Sequence, residues 1–295
     1  MLNDRAEAVL AALGGEDPVP AGSVAATIAS HGPNLGARLL ERVVPDDPWP
    51  DLVSPAGVAD RAEAEAARLG SLRVGCEHLV LALYALTRGA QLGPVRAAVQ
   101  EMAAERAHAG YLALEPRLPE PARAPVVVVF AGLPGSGKST LAEETGIALR
   151  APVFSLDWLL GSLTPFGLVR GDNAAALGDQ LVRAAVARQL QLGLDVVADT
   201  AGHQQENRDR MRELVTGLGG ALVEVECLCS DEVVHRARVE SRSRSIPGWP
   251  GTVTWEHVER MRASWCPWTP HLTLDTTTPI PTCMAQVHQA VSSAR

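Results

Sequence analysis

Glycines, a lysine and two hydroxyl residues crowd into one short stretch, GLPGSGKST, near the middle of the chain. The stretch matches the pattern G-x-x-x-x-G-K-[ST], whose glycines let backbone N–H groups turn inward around phosphate oxygens. At this spacing Lys138 would reach the β- and γ-phosphates of a nucleotide, and the Ser139 hydroxyl would ligate Mg²⁺. The predicted nucleotide-binding residues are Gly132, Leu133, Pro134, Gly135, Ser136, Gly137, Lys138, Ser139 and Thr140. The alternative is a glycine-rich turn that binds nothing.

A carboxylate follows the next apolar run, in the stretch APVFSLDWLLGSL. Asp157 comes directly after a short predicted strand, so in a parallel sheet it would lie at the carboxyl edge, where ligands bind. There it could act as a general base that accepts the proton of a hydroxyl group attacking the γ-phosphate. The alternative is that Asp157 only caps a helix that begins at Trp158, and the two roles can coexist.

A third predicted strand ends in polar residues, in the stretch LGLDVVADTAGHQQENRDRM. Asp199 and Thr200 would lie at the same edge as Asp157, and there Asp199 could hold Mg²⁺ through water or orient the phosphoryl acceptor. The alternative is a plain turn, because Asp-Thr-Ala-Gly is good turn chemistry. Arg208 on the following helix is either an acceptor-side residue or a solvated arginine.

Arginines recur before a Pro- and Gly-rich hinge, in the stretch VVHRARVESRSRSIPGWPG. They are Arg236, Arg238, Arg242 and Arg244. Arginines on a mobile lid can close over phosphates and neutralise the charge of a transition state. The alternative is a set of exposed arginines that pair with Glu232 and Glu240. Tryptophans between Trp249 and Trp268 could stack on a flat acceptor, but we favour the view that they pack the lid against the core.

Strands and helices must alternate after residue 125 to position these side chains. The run VVVVF at 126–130 is apolar, β-branched and bounded by Pro125 and Gly132, which favours a buried strand. The predicted strands are 126–131, 152–155, 194–199, 221–228 and 272–275. The predicted helices are 138–150, 174–192, 204–218, 231–242, 254–264 and 283–293. This alternation predicts an α/β domain, with a parallel sheet covered by helices.

The first part of the chain is rich in alanine and leucine and predicts an all-α domain. Helices are predicted at 3–13 and 21–42, and in the stretches SPAGVADRAEAEAARLG, CEHLVLALYALTRG and LGPVRAAVQEMAAERAHAG. The stretch LEPRLPEPARAP then brings four prolines and mixed charge, which suit an exposed linker. The predicted organisation is a helical domain over 1–116, a linker over 117–124 and the α/β domain over 125–295.

Part of the helical domain resembles the amino-terminal domain of Clp proteins. The stretch AEAEAARLGSLRVGCEHLVLALYAL has the helix, the glycine turn and the second helix of that family, with Glu77, His78 and Leu79 in its EHL motif. The first copy of the repeat, over about 1–45, lacks this motif. The resemblance implies a docking module and hence a protein partner. The alternative is a generic helical bundle, in which His78 is a core or capping histidine.

The bulk composition bounds the remaining possibilities. The chain has 295 residues, of which 46% are hydrophobic and 20% charged, so it is long enough for two globular domains. Its net charge of −8 gives no general attraction to nucleic acid or to anionic membranes. No apolar run approaches the length of a membrane span, and the amino terminus lacks the pattern of a signal peptide. We therefore expect a cytoplasmic protein.

The five cysteines are irregularly spaced and do not make a disulfide framework. Cys227 and Cys229 lie two residues apart in a predicted strand and would share one face of it. We interpret them as buried thiols rather than as metal ligands.

The motifs taken together resemble the small P-loop kinases of the AAA_33 or zeta-toxin-like group. This group includes chloramphenicol phosphotransferase-like enzymes and the kinase domain of polynucleotide kinases. The residues that carry the resemblance are GLPGSGKST, FSLD, VVADT followed by Arg208, the arginine-rich lid, and PW followed by LTLDT. The sequence lacks the N-K-x-D motif with which GTPases recognise the base, which argues against a GTPase. It also lacks an apolar strand that ends in Asp-Glu, which a hydrolytic ATPase usually has.

The resemblance implies that Lys138 and Ser139 hold ATP and Mg²⁺, and that Asp157 is the general base. It further implies that Asp199 supports the acceptor side and that the catalytic lid arginine is Arg242 or Arg244. The sequence departs from polynucleotide kinases at one position: they place an arginine three residues after the base, where this chain has Leu160.

This departure favours a neutral small molecule over a nucleic-acid end as the acceptor. The predicted function is therefore ATP-dependent phosphorylation of a hydroxyl group on an antibiotic, a nucleoside or a sugar-like molecule. The alternatives are a polynucleotide 5′-hydroxyl kinase, a nucleotide-controlled adaptor without turnover, and a toxin-type kinase that acts on a cell-wall sugar nucleotide.

Overall fold

The computed structural model describes the whole chain apart from residues 15–16, 44–48, 50, 70, 116–122, 172, 242–245, 250–252 and 269–271. The chain forms two compact units, Met1–Glu105 and Arg106–Arg295. The second unit begins before the predicted boundary at residue 116, because Tyr111 and Leu114 pack against the core of its sheet. Most of the predicted linker, residues 117–122, lies outside the described part of the chain.

The first unit is mainly helical, as the sequence predicts. Two short strands that the sequence did not predict, β1 (Val19–Pro20) and β2 (Leu52–Val53), pair in antiparallel fashion. The helices are α1 (Asp4–Ala12), α2 (Ala21–Ser30), α3 (Leu35–Arg42), α4 (Pro55–Arg68), α5 (Cys76–Thr87) and the first part of α6 (Leu92–Leu112). The core lies around α5, whose residues 79–84 are all buried.

The prediction of one helix over 21–42 is wrong, because the chain breaks between α2 and α3. Gly32 has a φ of +73°, in the left-handed region. Pro33 lacks a backbone N–H group and disfavours a helical conformation in the residue before it. The Asn34 side chain then caps α3 by accepting a hydrogen bond from the N–H group of Ala37 at 2.8 Å. The stop and start signals were thus present in the sequence SHGPN.

His78 caps the start of α5. Its Nδ1 accepts a hydrogen bond from the N–H group of Gly75 at 2.9 Å, and its Nε2 lies 3.1 Å from the Ser71 hydroxyl. Burial of the ring lowers the pKa of His78, which keeps the imidazole neutral. The capping role that the sequence offered for this residue is confirmed.

The second unit contains a five-stranded parallel sheet in the order β4-β5-β3-β6-β7. Its strands are β3 (Val126–Ala131), β4 (Val153–Ser155), β5 (Val196–Asp199), β6 (Ala221–Leu228) and β7 (Leu272–Asp275). Its helices after α6 are α7 (Lys138–Leu149), α8 (Leu156–Leu163), α9 (Ala174–Gln191), α10 (Gln205–Gly217), α11 (Glu232–Glu240), α12 (Trp255–Ala263) and α13 (Ile280–Ala294). The predicted α/β fold class is confirmed.

Helices cover both faces of the sheet, which explains the run of valines in β3. Val126 and Val128 pack on the face that α7 and α13 cover. Val127 and Val129 pack on the opposite face, against α9 and α10. A strand that is buried on both faces reads as a continuous apolar run instead of an alternating one.

The parallel arrangement brings the ends of β3, β4 and β5 to one edge. In the register of the sheet, Asp199 lies opposite Phe130 of β3 and opposite Ser155 of β4. The two predicted aspartates and the glycine loop therefore meet at the same edge of the sheet. Within the described residues, no helix is long and apolar enough to cross a membrane.

The close approach of α3 to α5 generates a test of the first unit. A Cβ atom at Gly36 would lie 2.6 Å from the Cys76 carbonyl oxygen, whereas a Cβ at Gly57 of α4 would meet only the Ser54 side chain, at 3.7 Å. We expect Gly36→Ala to lower the free energy of unfolding by about 2 kcal/mol through overpacking. The control Gly57→Ala should leave it unchanged or raise it by up to about 1 kcal/mol. Urea titrations that show equal effects would contradict this account of the contact.

Candidate functional site

The glycine loop connects β3 directly to α7. Gly132, Gly135 and Gly137 all have positive φ angles, of +155°, +82° and +82°. These angles are strained for other residues, so the loop can fold back on itself only with glycines at these positions. Gly137 is the residue before α7, whose first N–H groups have no partner within the helix. The result is a concave run of backbone amides at the positive end of a helix, which is suited to an anion.

Lys138 is the only lysine in the chain, although lysine and arginine together number 26. Every other side chain that is always cationic at neutral pH is therefore an arginine. An ammonium group is a compact point charge, whereas a guanidinium is a planar fork with fixed donor directions. The single lysine stands where a point charge fits a phosphate loop, at the first residue of α7.

Two buried side-chain oxygens of the site belong to Ser139 and Asp199. Within the described part of the chain, the Ser139 hydroxyl and Oδ1 of Asp199 are buried and have no hydrogen-bond partner. The other carboxylate oxygen of Asp199 accepts a hydrogen bond from the Ser155 hydroxyl at 3.0 Å. Because a buried polar atom without a partner costs free energy, these oxygens are suited to a ligand. A hydroxyl and a carboxylate are oxygen ligands of the kind that Mg²⁺ takes, so the predicted metal residues fit that ion.

Asp157 lies in the first turn of α8, just past the end of β4. The helix begins at Leu156 and not at Trp158, and its N-cap residue is Ser155, so the capping alternative for Asp157 does not apply. The Ser155 side chain makes no capping bond to α8, and its hydroxyl donates a hydrogen bond to Asp199. Ser155 thus ties the ends of β4 and β5 together beside Asp157, a role that the sequence analysis missed.

Thr200 and Arg208 make contacts that hold loops in place. The N–H group of Thr200 donates to the Phe130 carbonyl oxygen at 2.9 Å. The buried Arg208 guanidinium donates to the carbonyl oxygens of Gly202 at 2.7 Å and Cys266 at 2.9 Å. Arg208 thereby joins the loop after β5 to the segment after α12. Its predicted role on the acceptor side stays a prediction.

Two of the four predicted lid arginines, Arg236 and Arg238, lie within the described residues. Arg242 and Arg244, the predicted catalytic ones, lie outside the described residues. Arg236 is exposed and pairs with Glu240 at 2.9 Å, as the alternative for this cluster expected. Arg238 instead turns inward and donates to the hydroxyl and the carbonyl oxygen of Thr276, at 2.8 and 2.9 Å.

A cavity of about 360 Å³ adjoins the loop on the side of β7. Its lining includes Lys138, Ser139, Thr140, Arg238, Thr276 and Cys283. Arg238 was one of four similar arginines in the sequence, and nothing singled it out. Arg238 lies three residues after the buried His235, and it therefore lies on the same inner face of α11.

The tryptophans and cysteines mostly serve packing. Trp255 and Trp268 are 7% and 4% exposed, which confirms that these two pack rather than stack on a ligand. Burial raises the pKa of the Cys227 thiol to about 12, in keeping with an inert core residue. Cys229 follows the end of β6, so it does not share a strand face with Cys227 as predicted. The described residues contain no group of three or more histidine, cysteine, aspartate or glutamate side chains that could hold a metal ion.

The sheet, the loop and the helix that follows it define a P-loop domain with the fold of the P-loop kinases. Residues 127–267 match the model of the AAA_33 family, which is described as an AAA domain. No curated protein matches the chain.

Solved structures of similar fold align with a little over half of the chain. A candidate kinase from Chloroflexus aurantiacus has 22% identity and a TM-score of 0.46, over 59% of this chain and 100% of its own. A gluconokinase from Sinorhizobium meliloti has 20% identity and a TM-score of 0.42, over 58% and 94%. The APS kinase of Mycobacterium tuberculosis, in complex with AMPPNP and APS, has 21% identity and a TM-score of 0.42, over 58% and 99%.

The loop after β7, which forms one wall of the cavity, is held by Asp275. Its carboxylate accepts hydrogen bonds from the Ser230 hydroxyl and from the N–H groups of Ser230 and Thr277. The bond from the Ser230 hydroxyl is the main cause that lowers the pKa of Asp275 to about 2. Because the folded state favours the ionised form, the stabilisation is present above the ordinary pKa and is lost as the pH falls toward 2.

This shift predicts a pH-dependent effect of Asp275→Asn. The difference in free energy of unfolding between wild type and variant should be constant from about pH 5 to 7 and should shrink from about pH 4 downward. Urea titrations at a series of pH values measure this difference. A difference that does not change down to about pH 3 would contradict the assigned hydrogen bonds.

Proposed function

We propose that the second unit is an ATP-dependent phosphotransferase that phosphorylates a hydroxyl group on a small molecule. The observation that carries the proposal is the lone lysine of the chain, set at the head of α7 in a complete phosphate loop. Two further observations support it: the oxygens of Ser139 and Asp199 that have no partner among the described residues, and the position of Asp157 at the same sheet edge. The match of residues 127–267 to the AAA_33 model agrees with this reading.

The donor ATP would be held by the loop and by the cavity beside it. The amides of residues 132–140 and the Lys138 ammonium would bind the phosphates, while Ser139 and Asp199 would hold Mg²⁺. When bound, Mg²⁺ would neutralise charge on the β- and γ-phosphates. The cavity that Arg238 and Thr276 line would take the nucleoside. Its volume of about 360 Å³ lies in the range of small-molecule sites.

The proposed transfer is an in-line displacement at the γ-phosphorus. The acceptor hydroxyl oxygen forms a bond to phosphorus, the bond to the bridging oxygen breaks, and ADP leaves. Asp157 takes the proton of the hydroxyl group. Positioning and charge stabilisation would supply most of the rate enhancement in such a reaction. An arginine of the lid, Arg242 or Arg244, would complete the site over the phosphates.

Leu160 argues for a small neutral acceptor. This side chain is 1% exposed, and Gly178 of α9 packs so closely that a Cβ there would lie 3.2 Å from Leu160 Cδ1. The position where the resemblance expects an arginine is therefore apolar and directed into the core. Together with the net charge of −8, this favours an antibiotic, a nucleoside or a sugar-like molecule over a nucleic-acid end.

For the first unit we propose a docking role. The proposal rests on the Clp-like EHL motif and on the compactness of residues 1–105. If the whole protein were instead an adaptor controlled by nucleotide, it would bind ATP without producing any phosphorylated acceptor.

The reaction can be tested without knowing the acceptor. The protein would be incubated with ATP labelled at the γ-phosphate and with pools of sugars, nucleosides and antibiotics, and products that gain a phosphoryl group would be identified by mass. We expect a labelled small molecule, and no label on an oligonucleotide with a 5′-hydroxyl end. Label on the oligonucleotide alone would favour the polynucleotide kinase alternative. Nucleotide binding with no labelled product in any pool would favour the adaptor.

Substitutions of Lys138 test the charge at the head of α7. Lys138→Ala should lower the transfer rate by about 100-fold or more and weaken ATP binding. Lys138→Arg keeps the charge but replaces a point charge with a planar fork, so we expect a similar loss. Near-normal transfer by Lys138→Arg would contradict the argument drawn from the lone lysine.

The substitution Asp157→Asn tests the proposed base. It should leave ATP affinity unchanged while the transfer rate falls by about 100-fold, since base catalysis contributes about 10²–10⁴-fold. The exposed Ser162 on the same helix supplies a control, because Ser162→Ala should change neither quantity. A transfer rate close to that of wild type in Asp157→Asn would remove Asp157 as the base.

A further inference from the structure

The outer side of the phosphate loop is covered by α11 and α12. Leu133 of the loop packs against a cluster of Val239, Trp255 and Val258 from these helices. At Gly135, a Cβ atom would lie 2.6 Å from the Val239 side chain and 3.2 Å from the His235 ring. The loop is therefore packed against α11 and α12, and the contacting residues of these helices, His235, Val239, Trp255 and Val258, lie outside the G-x-x-x-x-G-K-[ST] pattern.

Among the described residues, His235 makes the one polar contact between the helices α11 and α12 and the phosphate loop. Its Nε2 lies 2.8 Å from the Pro134 carbonyl oxygen. A carbonyl oxygen only accepts hydrogen bonds, so Nε2 must carry the proton and donate. The ring is 2% exposed and meets the edge of Trp255 at 5.2 Å between ring centres and an interplanar angle of 83°. His235 is thus fixed by packing as well as by the hydrogen bond.

The rigidity of the peptide unit gives this contact a consequence inside the loop. The Pro134 carbonyl and the N–H group of Gly135 belong to the same planar trans unit and point in opposite directions. When His235 holds the carbonyl outward, the Gly135 N–H must point toward the inside of the loop, where a phosphate would lie. Gly135, at a φ of +82°, lacks a side chain that could restrain this unit.

We propose that His235 is a positioning residue that sets the direction of the Gly135 amide and links the phosphate loop to α11 and α12. This inference rests on the proposed function, since it assigns a purpose to the loop of the same site. The same helix also carries Arg238, which lines the nucleotide cavity. A movement of α11 would therefore change the amide that faces the phosphate and the arginine of the cavity together.

The test compares variants that keep or remove the donor at residue 235. His235→Phe keeps a ring against Trp255 and removes the N–H group. In His235→Gln, the amide nitrogen is separated from Cβ by the same number of bonds as Nε2 of the histidine, so this variant keeps a hydrogen-bond donor. Val233→Ala changes an 81% exposed residue of the same helix and serves as the control. If His235→Phe does not fold, His235→Met supplies a flexible apolar side chain without a donor.

Two measurements are made on each full-length protein. Hydrogen exchange reports the opening of the segment that contains Gly135 in the absence of nucleotide, and calorimetry reports the affinity for ADP with Mg²⁺. We expect His235→Phe to speed exchange in this segment and to weaken ADP binding by about tenfold, the size of one lost hydrogen bond. His235→Gln should recover most of both quantities, and Val233→Ala should match wild type.

The outcomes separate this inference from the proposed function. If wild type binds ADP and His235→Phe matches it in exchange and affinity, the inference is overturned and the proposed function stands. If His235→Gln is as impaired as His235→Phe, the shape of the ring matters rather than the donor, and the inference is again overturned. If wild type binds neither ADP nor ATP, the proposed function fails, and the exchange measurement alone decides whether His235 orders the loop.

Discussion

Backbone N–H groups at the turn from β3 into α7 have no partner within the helix, and the second unit is arranged around them. The positive φ angles of Gly132, Gly135 and Gly137 fold the turn into a concave shape. Such a shape is costly for a chain to keep without an anion or surrounding support. The strand β3, which is buried on both faces, holds the start of the turn. Residues of α11 and α12 pack against Leu133 within the turn. This combination gives a supported turn whose amides are suited to phosphate.

The other groups of the site depend on the same sheet edge. Parallel pairing places Asp199 beside Ser155, and the Ser155 hydroxyl holds one oxygen of that carboxylate. The other oxygen is left without a partner among the described residues, as is the Ser139 hydroxyl. Asp157 lies in the first turn of α8, the helix that follows the neighbouring strand β4. In the proposed reaction the metal ligands, the base and the phosphate loop therefore come from three adjacent strand ends, which is where α/β sheets bind ligands.

Much of this could be predicted from the sequence, because the second unit has strong local signals. Each strand of the sheet can be recognised from one continuous stretch of sequence, and so can the phosphate loop. The break at Gly32 was not predicted, because apolar residues at helical spacing both before and after it favoured one continuous helix. Arg238 and His235 could not be chosen in advance, since their roles depend on how α11 lies against Pro134 and Thr276. The Ser155 contact likewise depends on strand register and not on any motif.

In the proposed reaction the phosphates of ATP lie against Lys138, and the lone lysine allows a direct measurement of this contact. An amine-reactive acetylating reagent would modify only Lys138 and the amino terminus, so the peptide that carries Lys138 reports on one site alone. We expect ATP with Mg²⁺ to slow acetylation of this peptide strongly, as measured by mass, while acetylation of the amino terminus continues at its normal rate. Equal acetylation of Lys138 with and without saturating ATP and Mg²⁺ would contradict the account.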